Sequence, residues 1–290
     1  MTHPRVFIII LQYNNSQDTI WCLNSVKELD YPVFETVVID NGSHQEHLNN
    51  IKNFIIGQAG MKLLENKENL GYGGGNNTGI NYALKNKADY VFILNNDAVI
   101  LPDMLKKLVP PMESSENIGI LGPAIREEGR IVRGGAVKWL KPQLKHREKI
   151  PKQSKIYIPG AAMLIRKEVF KKIGLLDERY FLYFEDADYS VKAKKAGYKL
   201  AIIPETVITH KVSSSAKKLG SPLILRYHIR NSLMFNSLRA PIAYRFFVPL
   251  WSLCVLAKQL IKLAFRINVQ ESKEILEGVL DFYKGKTGKI

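Results

Sequence analysis

Residues 68–80 read ENLGYGGGNNTGI, with five glycines in nine positions from Gly71 to Gly79. A run of this kind invites the reading of a phosphate cradle. The dinucleotide fingerprint G-x-G-x-x-G fits at Gly71 and Gly73 but meets Asn at position 76. That fingerprint also has to follow the first strand of its fold directly, whereas the first apolar run here lies about sixty residues upstream. No Lys-Ser/Thr pair follows, so the stretch is not a P-loop either. Its meaning depends on what surrounds it.

Upstream, RVFIIIL (5–11) and FETVVID (34–40) are continuous apolar, β-branched runs, the pattern of strands covered on both faces. Between them, SQDTIWCLNSVKEL (16–29) has apolar residues at helical spacing with Ser16 as N-cap. A polar turn, a second helix (44–57) and a short strand KLLEN (62–66) lead to the glycines, which open a helix running to about Asn86. DYVFILNND (89–97) is a further strand with a polar end. Strands alternating with helices predict an α/β fold, a mostly parallel Rossmann-like sheet with helices on both faces. Beyond residue 115, NIGILGP, IYIPGAAMLIR and the segment after Gly197 read as strands. RKEVFKKIG and residues 185–196 read as helices closed by glycine. From about Lys211 the chain reads as helical, punctuated by Pro222, Pro241 and Pro249.

In open parallel sheets, ligands bind beyond the carboxyl ends of the strands. Four successive strands here end in QYNN, IDNGS, ENLGYGGGNN and NNDA. Asn, Asp and Gly make turns anywhere, but four such ends at one sheet edge predict a shared site. Asp40 is placed to accept from a base or ribose. Asn95 and Asp97 lie on one side of an extended chain, where a carboxylate could reach a hard cation carrying a diphosphate. A second group, Glu185, Asp186 and Asp188, opens a helix after the aromatic residues Tyr180, Phe181, Tyr183 and Phe184. Acids in a first turn are common. The aromatic wall makes one of them a candidate general base, because excluding water raises a carboxyl pKa.

The charge is +15 over 290 residues, with 46% hydrophobic and 24% charged positions. Residues 211–290 contain 14 Lys/Arg against four acids, and Thr206 to Gln270 contains no acid. A basic block faces something anionic, nucleic acid or a membrane surface. The charges border a dense apolar segment and are not interleaved with exposed aromatics, which argues against nucleic acid. FFVPLWSLCVLA (246–257) is a twelve-residue apolar run containing Pro249, shorter than the roughly 20 residues of a span. Lys258, Lys262 and Arg266 then form a stripe at i, i+4, i+8. With Trp251 and Phe246 for the headgroup boundary, this predicts an interfacial amphipathic helix; packing on the catalytic domain, or on a second subunit as a homodimer, is the alternative. The start, MTHPRVFIIILQYN, lacks the features of a signal peptide. Cys22 and Cys254 show no metal spacing and read as reduced thiols. The expected location is cytoplasmic, peripheral on the inner face of the membrane.

Taken in order, IIILQYNN, VVIDNGS, ENLGYGGGNNTGI, FILNNDAVI, PGAAMLIRKEVFKKIGLLDERYFLYFEDADYSVKAKKAGY, ITHKVSSS and YHIRNSLMF span residues 5–236. This series resembles the family 2 inverting glycosyltransferases of the GT-A fold, in particular the rhamnosyltransferase-like group of bacterial cell-surface polysaccharide synthesis. The resemblance implies a catalytic domain over 1–215, with a nucleotide-sugar half (1–115) and an acceptor half (116–215), and a helical extension over 216–290. It implies nucleotide-sugar contacts from Gln12, Tyr13, Asn14, Asn69, Gly71, Gly74, Asn77, Asn95 and Asn96, with Asp40 reading a pyrimidine. It places Asp186 as general base with Glu185 beside it, and Gly160, Tyr183 and Arg230 on the acceptor side. Asp97 and His210 would hold Mg²⁺ or Mn²⁺. The family's Asp-x-Asp motif is Asn95-Asn96-Asp97 here, so its single carboxylate implies weak affinity for free metal. The implied donor is dTDP-rhamnose, with UDP-galactose or UDP-N-acetylglucosamine as alternatives. The implied acceptor is a glycan or lipid-linked hydroxyl. A non-catalytic sugar-nucleotide-binding subunit is the remaining alternative.

Overall fold

The computed structural model describes residues 3–211 and 221–290. Strand β1 (Val6–Gln12), helix α1 (Ser16–Lys27), β2 (Phe34–Asp40), α2 (Gln45–Ile55), β3 (Met61–Glu65), α3 (Gly71–Lys85) and β4 (Tyr90–Asn95) form the alternating first half. A two-residue β5 (Ala98–Val99), α4 (Met104–Ser114) and a long β6 (Ile118–Glu127) follow. Next come β7 (Arg130–Val132), β8 (Gly135–Lys138), β9 (Gln143–His146), β10 (Ile156–Tyr157) and β11 (Ala162–Arg166). Helix α5 (Lys167–Ile173), α6 (Glu185–Lys195) and β12 (Lys199–His210) complete this part. The remaining helices are α7 (Ser221–Arg239), α8 (Ile242–Arg245), α9 (Phe247–Ala264) and α10 (Val269–Tyr283).

The main sheet runs β3-β2-β1-β4-β11-β6-β12-β5, with β7 on β6. Strands β3, β2, β1 and β4 are parallel, as the alternation predicts. β11 enters antiparallel between β4 and β6. β5 leaves the end of β4 yet pairs with the end of β12, His210 opposite Ala98. That pairing carries Asp97 to a residue more than a hundred positions later in the chain. Alternate residues of β1 feed opposite cores. Val6, Ile8 and Ile10 pack with Leu23, Val26 and Leu105, while Phe7 and Ile9 pack with Ile80, Ala83 and Val169. β8, β9 and β10 form a separate small sheet between the two halves of the sequence.

The glycine stretch is itself helix, not a loop in front of one: α3 begins at Gly71. Gly71 has φ +75°, and a Cβ there would lie 2.4 Å from the Phe181 carbonyl oxygen. At Gly75 a Cβ would lie 2.4 Å from the Leu11 side chain. These glycines let a helix sit close on a sheet and a loop sit close on the helix. α4, unpredicted from the sequence, carries Pro110 and Pro111 inside it yet buries Met104, Leu105, Leu108 and Met112; apolar burial overrides the local penalty. Pro249 does not interrupt the tail either. It lies in the first turn of α9, where a missing N–H costs little. The segment Ile242–Ala264 is consequently 23 residues, long and apolar enough to cross a membrane by length and composition, which corrects the twelve-residue reading. The expected boundary at 215/216 and the VSSS of the ITHKVSSS motif (212–215) lie outside the described residues.

Candidate active site

The polar strand ends do converge. A cavity of about 500 Å³ is lined by Tyr13 after β1, Asn41 after β2, Asn69 and Gly71 at the start of α3, and Asn95, Asn96 and Asp97 after β4. Its far wall is Gly160, Tyr183, Glu185, Asp186 and His210. Asn41 organises the glycine turn. Its amide donates to Asn69 Oδ1 (3.0 Å) and to the Gly71 carbonyl (3.1 Å), and its oxygen accepts from Asn66 Nδ2 (3.0 Å) and the Leu70 N–H (3.2 Å). It sits within the quoted IDNGS, so the motif held it but the residue was not singled out.

Six of the expected residues do not line this cavity. Asp40 is buried, accepting from Gln12 Nε2 at 2.7 Å and from the Ser43 N–H at 3.0 Å. Gln12 is spent on Asp40, on Ser43 Oγ (3.0 Å) and on the Asn15 N–H (3.1 Å). Asn14, at φ +49°, accepts from the His44 N–H at 2.8 Å. These three shape the turns that hold the wall. Gly74 faces Leu70 and Glu178. Asn77 is buried and ties α3 to Leu176 (3.0 and 3.1 Å) and Glu178 (2.8 Å). Arg230 is 1% exposed and donates to the Tyr180 carbonyl at 3.1 Å. Polar side chains at strand ends are needed for turns as well as ligands, and sequence cannot separate the two uses.

The acidic group divides in the same way. Asp188 faces inward, accepting from Tyr180 Oη at 2.8 Å and from Arg239 at 2.5 and 3.1 Å. Asp186 and Glu185 face the cavity. Asp186 accepts from the Gly160 N–H at 2.9 Å and the Ala187 N–H at 2.7 Å. Burial nonetheless raises its pKa, against those hydrogen bonds. Burial, and then the neighbouring Asp186 charge, pushes Glu185 up to about 8. Two adjacent carboxyls out of water do not both ionise easily, so the pair holds a proton to higher pH than either acid would alone. Tyr72 closes the wall, donating to the Gly160 carbonyl at 2.6 Å.

The loop before these acids is strained. Phe181, Tyr183 and Phe184 have φ of +60°, +67° and +77°, a region costly for side-chain-bearing residues. Asn231 on α7 holds the loop, donating to the carbonyls of Tyr180 (2.9 Å), Leu182 (2.7 Å) and Tyr183 (3.2 Å).

A second cavity of about 780 Å³ lies between the β8–β9 hairpin and helices α7, α9 and α10. It is lined by Leu144, Leu225, Ile229, Trp251 and Val255, with Arg130, Lys258 and the imidazole of His146 among its polar groups. Tyr183, Glu185, Asp186 and His146 line both cavities. His146 and Glu127 carried no motif in the sequence and emerge only here.

For a divalent cation, the relevant atoms are at the end of β4. Asp97 is 5% exposed, and His210 Nε2 lies 3.1 Å from its Oδ1. Asn95 Nδ2 is 3.2 Å from the same imidazole nitrogen. His210 Nδ1 is buried without a hydrogen bond among the described residues. Among the described residues, no cluster of three or more His, Cys, Asp or Glu could hold a metal alone. One carboxylate and one imidazole fit a cation whose other ligands are diphosphate or water oxygens.

This curled sheet, with its site at the strand ends and helices on both faces, defines a GT-A fold. The chain belongs to glycosyl transferase family 2, whose model matches residues 7–174, and it is a glycosyltransferase. It is 24% identical over 296 residues to the low-salt glycan biosynthesis hexosyltransferase Agl10 of Haloferax volcanii (97% of this chain, 92% of that one). It is 24% identical over 301 residues to the dTDP-rhamnosyl transferase RfbF of Shigella flexneri (99% and 98%). Among solved structures, the mannosyltransferase PcManGT of Pyrobaculum calidifontis, in complex with GDP-Man and Mn²⁺, aligns at TM-score 0.61 with 15% identity (99% and 89%). S. aureus TarS 1-349 in complex with UDP-GlcNAc aligns at 0.59 with 14% identity (97% and 92%). At such identities the structural likeness establishes the fold.

Proposed function

We propose that this glycosyltransferase moves a sugar from a nucleoside diphosphate to an acceptor hydroxyl by single displacement with inversion. The observation that carries the reading is the meeting of two cavities at Glu185 and Asp186. The smaller one, lined by Tyr13, Asn69 and Asp97, takes the nucleotide-sugar. The larger one takes the acceptor. Asp186 accepts the hydroxyl proton while the oxygen attacks the anomeric carbon, and the bond to the diphosphate breaks on the opposite face. No covalent enzyme intermediate is needed. A divalent cation held by Asp97 and His210 would supply positive charge to the departing diphosphate.

The donor we favour is dTDP-rhamnose, supported by the likeness to a dTDP-rhamnosyl transferase over 99% of this chain. The acceptor we favour is a lipid-linked glycan. α9 forms one wall of the second cavity while its outer residues Leu250, Leu253 and Ile261, and Phe246 and Phe265 at its two ends, are exposed, beside the basic Lys262 and Arg266. Such a helix suits the surface of an anionic membrane. A thermal-shift panel of dTDP-rhamnose, UDP-sugars and GDP-sugars, with and without Mg²⁺ or Mn²⁺, tests the donor, since a ligand of the native state raises Tm. Asp186→Asn is expected to keep the donor's thermal shift and lose transfer by about 10²–10⁴-fold. Near wild-type transfer by that variant would move the base elsewhere.

A further inference from the structure

Glu127 is the end of β6, and its side chain is 5% exposed. Its Oε1 accepts from His146 Nδ1 at 2.7 Å, and Arg130 Nη2 stands 3.5 Å from the same oxygen. His146 ends β9 in the small sheet. Nothing in the first half of the chain requires this hairpin to approach the site, yet it brings an imidazole into the lining of both cavities. With Nδ1 committed to Glu127, the ring's other nitrogen makes no hydrogen bond among the described residues. A carboxylate that fixes one imidazole nitrogen and leaves the other over a reaction site is a recurrent arrangement in functional sites.

We propose that Glu127 and His146 are a further functional pair of the transfer site, in which Glu127 anchors the ring as an imidazolium whose positive charge holds Asp186 in its carboxylate form where the two cavities meet. This rests on the reading of Asp186 as the base. The electrostatics agree with the geometry. Burial opposes the charge on His146, but Glu127, and then Asp186, raise its pKa above the usual value. His146 in turn lowers the pKa of Asp186, offsetting part of what burial raises. The other groups around the ring are Arg130, which opposes its charge, Tyr157 at 6.5 Å between ring centres, and Glu185, whose pKa burial raises. Lys258 lines the second cavity from α9, and Arg147, Glu148 and Lys149 line a further hollow together with His146. A buried carboxylate beside another carboxyl is hard to ionise. The imidazolium corrects this through the acid range, where the base would otherwise be protonated. His146 acts through Asp186 and is a positioning residue.

The test is the titration of the His146 ring by NMR in the full-length chain, assigned with His146→Gln. We expect a pKa above the ordinary 6.5 or so of histidine. It should fall in Asp186→Asn and fall further in Glu127→Gln, because coupling between two charges is reciprocal. If Asp186→Asn leaves the titration unchanged in a folded protein, the charges do not couple and the proposal fails, whatever Asp186 does in catalysis. A second readout is the pH profile of dTDP-rhamnose hydrolysis, water replacing the acceptor, or of UDP-N-acetylglucosamine hydrolysis should that be the nucleotide that binds. His146→Gln should move the acid limb to higher pH, with loss of about tenfold for each pH unit moved. His146→Lys should restore part of the limb. A uniform loss at every pH, with the limb unmoved, would make the pair only a latch for the hairpin and overturn the proposal.

Discussion

Asp97 is the single carboxylate of the Asn95-Asn96-Asp97 turn, and its environment makes two expectations concrete. Asp97→Ala should weaken donor binding and abolish any effect of Mg²⁺ or Mn²⁺ on the thermal shift. Unchanged wild-type activity in chelator would instead assign the diphosphate to other groups. Glu185 gives a stability signature. Its proton is held in the folded state up to about pH 8, against an ordinary value of 4.5. Between those limits the folded chain binds more protons than the unfolded one, so stability falls as pH rises. Below 4.5 and above 8 the contribution is flat. Thermal melts of wild type and Glu185→Gln should therefore diverge by roughly a few degrees across this window, the variant lacking the decline. Parallel curves would mean that Glu185 is ionised in the fold. Single residues of this kind were partly legible. The sequence singled out Glu185, Asp186 and Asp97, but not that the adjacent carboxyls would hold a proton, because that follows from burial.

At the scale of elements, the site depends on how loops are held against helices. The positive-φ residues Phe181, Tyr183 and Phe184 persist because the Asn231 amide donates to the carbonyls of Tyr180, Leu182 and Tyr183 around them. Asn231→Ala removes the side-chain donor from the Leu182 and Tyr183 carbonyls, at a cost of about 1–3 kcal/mol, and frees the strained loop; the Tyr180 carbonyl still accepts from Arg230. We expect a lower Tm and a loss of transfer larger than the loss of donor affinity; equal losses would show that the loop serves only the donor. Periodicity predicted the helices that bear on this region, and YHIRNSLMF was a quoted motif. Its Arg230 was expected on the acceptor side, whereas its role here is internal, beside Asn231. Side-chain type announces hydrogen-bonding capacity, and only packing decides which partner uses it.

Across the whole molecule, α7 and α10 pack together through Arg226, which pairs with Asp281 at 2.7 Å, while α9 buries Val248, Ser252 and Gln259 and leaves its other face outward. The tail thus covers the second cavity and also offers an apolar, basic surface. Removing it wholesale would uncover both, so point variants give the cleaner experiment. Wild-type protein should float with anionic liposomes at low salt and less with neutral ones. Phe246→Glu with Leu253→Glu should remain unfloated, and Lys262→Gln with Arg266→Gln should weaken binding by about 1 kcal/mol per charge. Equal behaviour of all variants would make the exposed face an interface between copies of the chain, to be read from the oligomeric state.

The alternating apolar runs determined the parallel half of the sheet by themselves, since strands buried on both faces admit few other residues. Their polar ends determined the edge where a site would form, and the ordered motifs pointed to the family. What only the tertiary structure decided is the use of each polar group. Asp40 and Gln12 turn inward because they satisfy each other and the adjacent turns. Asp97 meets His210 because β5 pairs with β12. His146 meets Glu127 and lines both cavities because the small sheet folds back against the end of β6. These contacts join residues far apart in the chain, and no local pattern of spacing or composition encodes a distance in space.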